Sequence, residues 1–137
     1  MVFGHTRKGM GNENGIELIR FCNKLNTQVI GGASRLFNYY LKNYDPSKII
    51  SFSSNDISLG ELYKKLGFEY KNTSKSSYWY IDPKTLQRYH RTNFTKSRLV
   101  KEGFNPSLSE YQIMRDRGYL KIHDSGQQKW VYECNKL

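Results

Sequence analysis

Cysteine is nearly absent from the 137 residues, with only Cys22 and Cys134. Two thiols so far apart make neither a zinc cluster nor a disulfide framework, and nothing points to an oxidising compartment. Cys22 lies in an apolar run and reads as a buried thiol. Acid is scarce as well: 12 Asp and Glu stand against 22 Lys and Arg, a net charge of +10 with pI near 9.6. No apolar run approaches the roughly 20 residues that span a bilayer, and Met1 opens no signal peptide, so the reading is no membrane and a cytoplasmic location. Nuclease signatures are missing too. There is no H-N-H cluster and no carboxylate pair followed by E-x-K, and Asp56 with Glu61 or Asp116 with Asp124 have no supporting pattern for Mg²⁺. Metal-dependent cleavage is therefore not expected. No internal repeat or low-complexity tract occurs.

What is present is aromatic and basic. Aromatics reach 15%, with Tyr 11 and Phe 7, and tyrosine suits wet clefts as well as cores. The length fits one domain with a real core. A charge of +10 on so small a domain favours a polyanion, either nucleic acid or a phosphate-rich cofactor. A merely solubilising surface has the same composition.

The chain centres on Gln28-Val29-Ile30-Gly31-Gly32-Ala33-Ser34. An apolar run meets a glycine pair and then a helix whose Leu36, Phe37, Tyr40, Leu41 and Tyr44 recur at helical spacing before Asp45-Pro46 stops it. Glycines let backbone approach a ligand, and a helix start presents free N–H groups with the positive dipole end. That geometry suits a phosphate or pyrophosphate. The same pattern serves a tight loop that only feeds a core helix.

Around this centre, Val2–Thr6 reads as a short strand, 7–15 as a turn, and Ile16–Cys22 as a strand with Ile16 and Leu18 on one face and Ile19 and Phe21 on the other. Lys48–Ser53 reads as a buried parallel strand joined to it by a right-handed crossover. Ser58-Leu59-Gly60-Glu61 has the form of a capping box for a helix with Leu59, Leu62, Tyr63 and Leu66 inward and Gly67 as its stop. Tyr78–Ile81 returns as a strand. Lys84, Arg88, Arg91, Lys96, Arg98 and Lys101 then follow without an acid, interleaved with Tyr89, His90 and Phe94. Such a mixture can hold phosphates while its rings stack on bases, or it can be a solvated segment with rings folded inward. Ser107-Leu108-Ser109-Glu110 suggests a second capping box before a helix with Tyr111 and Met114 inward, closed by Gly118. Tyr119–His123 and Lys129–Glu133 read as a hairpin around Asp124-Ser125-Gly126.

The succession of strand, glycine loop, helix, strand, a helix ending in Leu62-Tyr63-Lys64-Lys65-Leu66-Gly67-Phe68, and strand resembles the C-terminal half of the GCN5-related N-acetyltransferase (GNAT) family. Gln28-Val29-Ile30-Gly31-Gly32-Ala33 fits that family's pyrophosphate pattern Q/R-x-x-G-x-G/A, and the likeness covers about residues 16 to 81. Over nearly the whole length, Arg20–Asn26, Gly31–Ser34, Ile49–Ser51 and Gly118–Gly126 resemble a phage-borne domain found as the C-terminal part of Vsr-like homing endonuclease proteins. The chain also resembles Mom-type acyltransferase-like proteins that modify adenine in phage DNA.

The resemblance implies an α+β fold with a mixed central sheet and flanking helices, a GNAT-like core over 1–83, and a basic segment with helix and β-hairpin over 84–137 packed in the same domain. It implies that Gln28, Ile30, Gly31, Gly32, Ala33 and Ser34 hold acetyl-CoA or another acyl-CoA, without metal, in the cleft between strands 16–22 and 48–53. Tyr63 falls where the family's tyrosine protonates the departing thiolate, although a core aromatic on an amphipathic helix has the same spacing. Lys84, Arg88, Tyr89, Arg91, Phe94, Lys96, Arg98 and Lys101 would meet nucleic acid, DNA rather than RNA, in the cytoplasm of a bacterial host. The departures are Asp56 where the family has asparagine, with Asn55 one place off, and a missing N-terminal half. A preceding region or a partner chain would complete the sheet. Two readings stand: acyl transfer to an amine at nucleic acid, or a non-catalytic targeting module of a homing endonuclease-like protein.

Overall fold

The computed structural model describes residues 1–6 and 15–134, so the turn expected over 7–15 lies, up to Asn14, outside the described residues. The fold is α+β, and the chain forms two compact units: Met1–Ser74 with Gln127–Leu137 (unit 1), and Lys75–Gly126 (unit 2). The division expected at 83/84 falls inside unit 2. The chain leaves unit 1 at Ser74 and re-enters at Gln127, where Ser74 N donates to Gln127 O at 2.8 Å and Gln127 N donates to Ser74 Oγ at 2.9 Å.

Unit 1 contains β1 (Val2–His5), β2 (Ile16–Arg20), α1 (Gly32–Tyr44), β3 (Lys48–Ser54), α2 (Glu61–Lys65) and β4 (Glu69–Thr73). Its last strand lies at the far end of the sequence and takes its number in chain order, β8 (Gln127–Glu133). The sheet runs β1-β2-β3-β8-β4, with β2 and β3 parallel and the other neighbours antiparallel. The parallel pair matches the expectation from the β-branched run at 48–53. On one face Leu18, Ile49 and Trp130 join Phe37, Leu66 and Phe68 in a buried cluster. The alternate residues Glu17, Ile50 and Val131 are buried as well.

The buried stripe of α1 is narrower than its apolar pattern. Phe37 is buried, with Ala33, Tyr40 and Leu41 packed against the cluster, but Leu36 and Tyr44 are exposed. Those two, with Tyr39, Phe3 and Ile16, line an open groove of about 580 Å³ beside β1. In β2, Ile16 and Leu18 face the cluster as expected, whereas Cys22, expected to be buried, is exposed beyond the end of the strand.

The start of α2 also differs from expectation. Its N-cap is Gly60 at φ +77°, and Ser58 Oγ accepts from Gly60 N at 3.1 Å instead of capping the Glu61 end, so there is no S-x-x-E box. The reason is packing: a Cβ on Gly60 would run into the Trp130 indole, so the chain turns there in the left-handed region that glycine tolerates. Leu59 is consequently exposed, Leu66 is buried, and Gly67 at φ +86° ends the helix as expected.

Unit 2 has β5 (Tyr78–Ile81), β6 (Arg88–His90), a 3₁₀ turn (Arg91–Phe94), α3 (Lys96–Lys101), α4 (Glu110–Asp116) and β7 (Leu120–His123), with sheet order β6-β5-β7. Tyr80, Leu99, Ile113 and Met114 form its core, flanked by Phe94, Phe104, Leu108 and Tyr119. The expected C-terminal hairpin does not form. β7 pairs with β5, whereas β8 pairs with β3 and β4. Asp124, expected in the hairpin turn, ties β5 to β7: its carboxylate accepts from Ser77 N at 2.7 Å and Gly126 N at 3.0 Å. The capping box of α4 is Ser109 with Gln112, two residues after the expected serine, because Glu110 instead accepts from Tyr78 OH at 2.9 Å. Met114 is buried as expected, but its neighbour Ile113 replaces the exposed Tyr111 on the inner face.

Candidate cofactor cleft and basic face

In unit 1 the parallel strands pair over only two positions, Ile16 with Ile49 and Glu17 with Ile50. Beyond them β2 continues to Arg20 and β3 to Ser54 without further ladder partners to each other. At the next position in register the strands are still joined, where buried Ser51 Oγ donates to the backbone carbonyl of buried Leu18 at 2.6 Å. The carboxyl ends of parallel strands are a common ligand position in α/β folds.

The chain leaves β2 at this end and reaches α1 through the glycine turn. Gly31 caps α1 at φ +70°, and its carbonyl accepts from Arg35 N at 3.0 Å. Gly32 N donates to Val29 O at 3.1 Å, and a Cβ on Gly32 would meet Val29 Cγ1 at 3.1 Å. Each glycine therefore answers a specific demand, left-handed backbone at one and a close side-chain neighbour at the other. No side chain caps the helix and no acid stands in its first turn, so apart from the Gly32 amide, which Val29 O takes, its first-turn amides have no side-chain acceptor. Gln28, Ile30, Gly31 and Ser34 are exposed, while Gly32 and Ala33 are half-buried. Ala33 packs against the core cluster.

Tyr63 reaches β3 from α2. Its hydroxyl donates to Phe52 O at 3.3 Å, beyond the β3 positions that pair with β2, and its ring stacks on Trp130 at 5.7 Å. Asp56 is exposed in a turn at the end of β3, where Ser54 Oγ lies 3.4 Å from its Oδ2. Among the described residues no group of three His, Cys, Asp or Glu could hold a metal ion. Glu69-Tyr70-Lys71 does place an E-x-K triplet on β4, but Lys71 Nζ and Glu69 Oε2 are paired with each other at 2.8 Å.

The basic segment lies wholly in unit 2. Lys84 sits in the β5–β6 turn, Arg88 and Tyr89 on β6, Arg91 in the 3₁₀ turn, and Lys96, Arg98 and Lys101 on α3. The cations are exposed, and Arg98 Nε contacts Glu102 Oε1 at 3.3 Å. The two rings expected to stack on bases point inward instead. Phe94 packs against the core with its centroid 5.6 Å from Tyr89, and both rings pack on Tyr119.

The other face of the same three-stranded sheet carries Trp79, Ile81, Arg88, His90, Leu120 and Ile122, by strand alternation with Tyr78 and Tyr80 and by register with β6 and β7. Arg88 Cζ lies 4.0 Å from the Trp79 ring centroid, and His90 meets that ring edge-on at 4.7 Å. The period of two in Tyr78-Trp79-Tyr80-Ile81 was the signal that could have placed Trp79 here. On the inner face, burial and the nearby Glu110 charge push the Tyr78 and Tyr80 hydroxyls above their usual pKa. Lys121 Nζ lies 3.8 Å from the Tyr78 ring centroid.

No protein-family model matches the chain, and no curated protein matches it. No helix among the described residues is long and apolar enough to cross a membrane.

Proposed function

We propose that unit 1 is a GNAT-like acyl-CoA-binding core and that the protein acts on or at nucleic acid in the cytoplasm of a bacterial host. The observation that carries the reading is the glycine turn and uncapped start of α1 that follow β2, the strand whose parallel pairing with β3 covers two positions. In this reading the amides from Ile30 to Ser34 receive the pyrophosphate, aided by the helix dipole, and Gln28 lies beside them. Acyl-CoA, when bound, would supply the thioester, and the carboxyl ends of β2 and β3 would hold its acyl end. A nucleophilic amine, such as a nucleobase amine, attacks the thioester carbonyl and the C–S bond breaks. The thiolate takes the phenolic proton of Tyr63, and the proton lost by the amine restores the phenol. A further strand, from a preceding region or a partner chain, would pair on β1 at the sheet edge and shape the acceptor side.

The second reading is a non-catalytic targeting module of a homing endonuclease-like protein, with DNA as partner. It is favoured by the hydrogen bond that engages the Tyr63 hydroxyl and by Asp56 in the asparagine position. Calorimetry with coenzyme A, followed by an acyl-transfer assay on amine-bearing DNA, separates the readings. Coenzyme A binding with acyl transfer supports catalysis, and DNA binding without coenzyme A binding leaves only the module.

A further inference from the structure

We propose that the outer face of the β6-β5-β7 sheet is a stacking platform for unpaired bases of single-stranded nucleic acid, centred on Trp79 and Arg88. The inference rests on the nucleic-acid reading above and gives it a site and a substrate form. Strand alternation sends Tyr80 into the core and leaves Trp79 and Ile81 on the opposite face, where neither belongs to the buried cluster or packs against it. Leu120 on the same face is 57% exposed, an apolar residue that finds no cover there.

Charge decides the occupant. Unit 2 carries ten lysines and arginines against five acids, and exposed Arg88 stands on this face, whereas α3, whose Leu99 packs with Tyr80, presents its exposed cations across the sheet. An apolar peptide gains nothing from that field, whereas a polyphosphate backbone does. The arrangement at the centre fits a base. Arg88 lies over the indole, and both a guanidinium plane and an indole accept a base on their faces, so a base can rest on Arg88 or displace it. His90 abuts the indole, and Asp124 Oδ2 lies 3.4 Å from its Nε1, which together hold the ring in place. Asp124 is the nearby acid, and its Oδ1 serves the Ser77 and Gly126 amides. Paired bases in a duplex keep their faces stacked on one another, so this platform selects single strands.

The test uses the full chain with a thymidine oligonucleotide and a duplex of equal length, read by tryptophan fluorescence and by binding at several salt concentrations. Stacking predicts quenching by the single strand. Trp79→Ala should weaken single-strand binding about ten- to a hundredfold at nearly unchanged salt slope, since lost stacking releases no counterions. Trp79→Phe, which keeps a ring and controls for folding, should retain most of the affinity. If Trp79→Ala binds single strands like the parent while removing Arg91, Arg98 and Lys101 abolishes binding, the platform is wrong and the nucleic-acid reading stands. If the parent binds neither nucleic acid, that reading falls and the platform with it. Preference for the duplex, without quenching, also overturns the platform.

Discussion

The two units carry the same excess of five positive charges, twelve against seven in unit 1 and ten against five in unit 2, but unit 2 concentrates it in 52 residues. They also hold their cations differently. In unit 1, Lys48, Lys64 and Lys71 contact Glu133, Glu61 and Glu69. In unit 2, Arg98 and Arg115 likewise contact Glu102 and Asp116, but Arg88, Arg91, Arg117 and Lys121 lie over aromatic rings. An ion pair neutralises its charge locally, whereas a cation over a ring keeps its charge available to a phosphate. Equal net charge is therefore held differently: by ion pairs in unit 1, and by ion pairs together with cations over rings in unit 2.

The sharpest way to break the comparison is at the packing of unit 1. Gly60→Val forces a β-branched residue to φ +77° and drives its side chain into Trp130. The expected cost is about 4 kcal/mol or more, read as a lower urea midpoint, with amide protection lost first in β3, β8 and α2. A variant as stable as the parent would mean that Trp130 does not fix this turn.

Next in size is the chemistry. If unit 1 transfers acyl groups, Tyr63→Phe should slow the transfer by about a hundredfold or more and leave coenzyme A affinity nearly intact, since it removes a proton donor and little packing. Equal turnover excludes Tyr63 as the acid.

The field of unit 2 is tested by replacing Arg88, Arg91 and Arg98 together with Ala. Duplex affinity should fall, and its salt slope should flatten by about 0.9 for each phosphate contact removed. An unchanged slope would assign the charge to solubility alone.

The smallest effect concerns Asp124. Amide hydrogen bonds from Ser77 and then Gly126 hold its carboxyl below the usual 3.8. The ionised form is favoured in the folded state, so its contribution is complete above that value and is lost as the pH falls through the folded pKa. Asp124→Asn should lower the melting temperature of unit 2 slightly at pH 7 and flatten its decline in acid, measured by circular dichroism. Parallel acid profiles for the two proteins would contradict this.

Much of unit 1 was legible because hydrophobic period and glycine chemistry act locally. The run Lys48–Ser53, the stop at Gly67 and the glycine turn before α1 each follow from neighbouring residues. β4 was not legible: all five of its residues are exposed, so Glu69–Thr73 has no apolar alternation, and only its pairing with β8 makes it a strand. The hairpin failed for a related reason. Turn chemistry at Asp124-Ser125-Gly126 signals a change of direction, but partner choice is set by Trp130 and Val131, whose bulk belongs in the larger core. The site divided the same way. The cations of 84–101 were visible as exposed charge, while which rings face outward depended on Tyr80 entering a core built from α3 and α4, far along the chain.

Amide chemical-shift mapping with coenzyme A on the full chain tests the central claim most directly. The account predicts saturable shifts at Gly31, Gly32, Ala33 and Ser34 and along Leu18–Arg20 and Ser51–Ser54, with unit 2 unmoved, and their loss in Gly31→Val. Shifts confined to unit 2, or none at all, would contradict it.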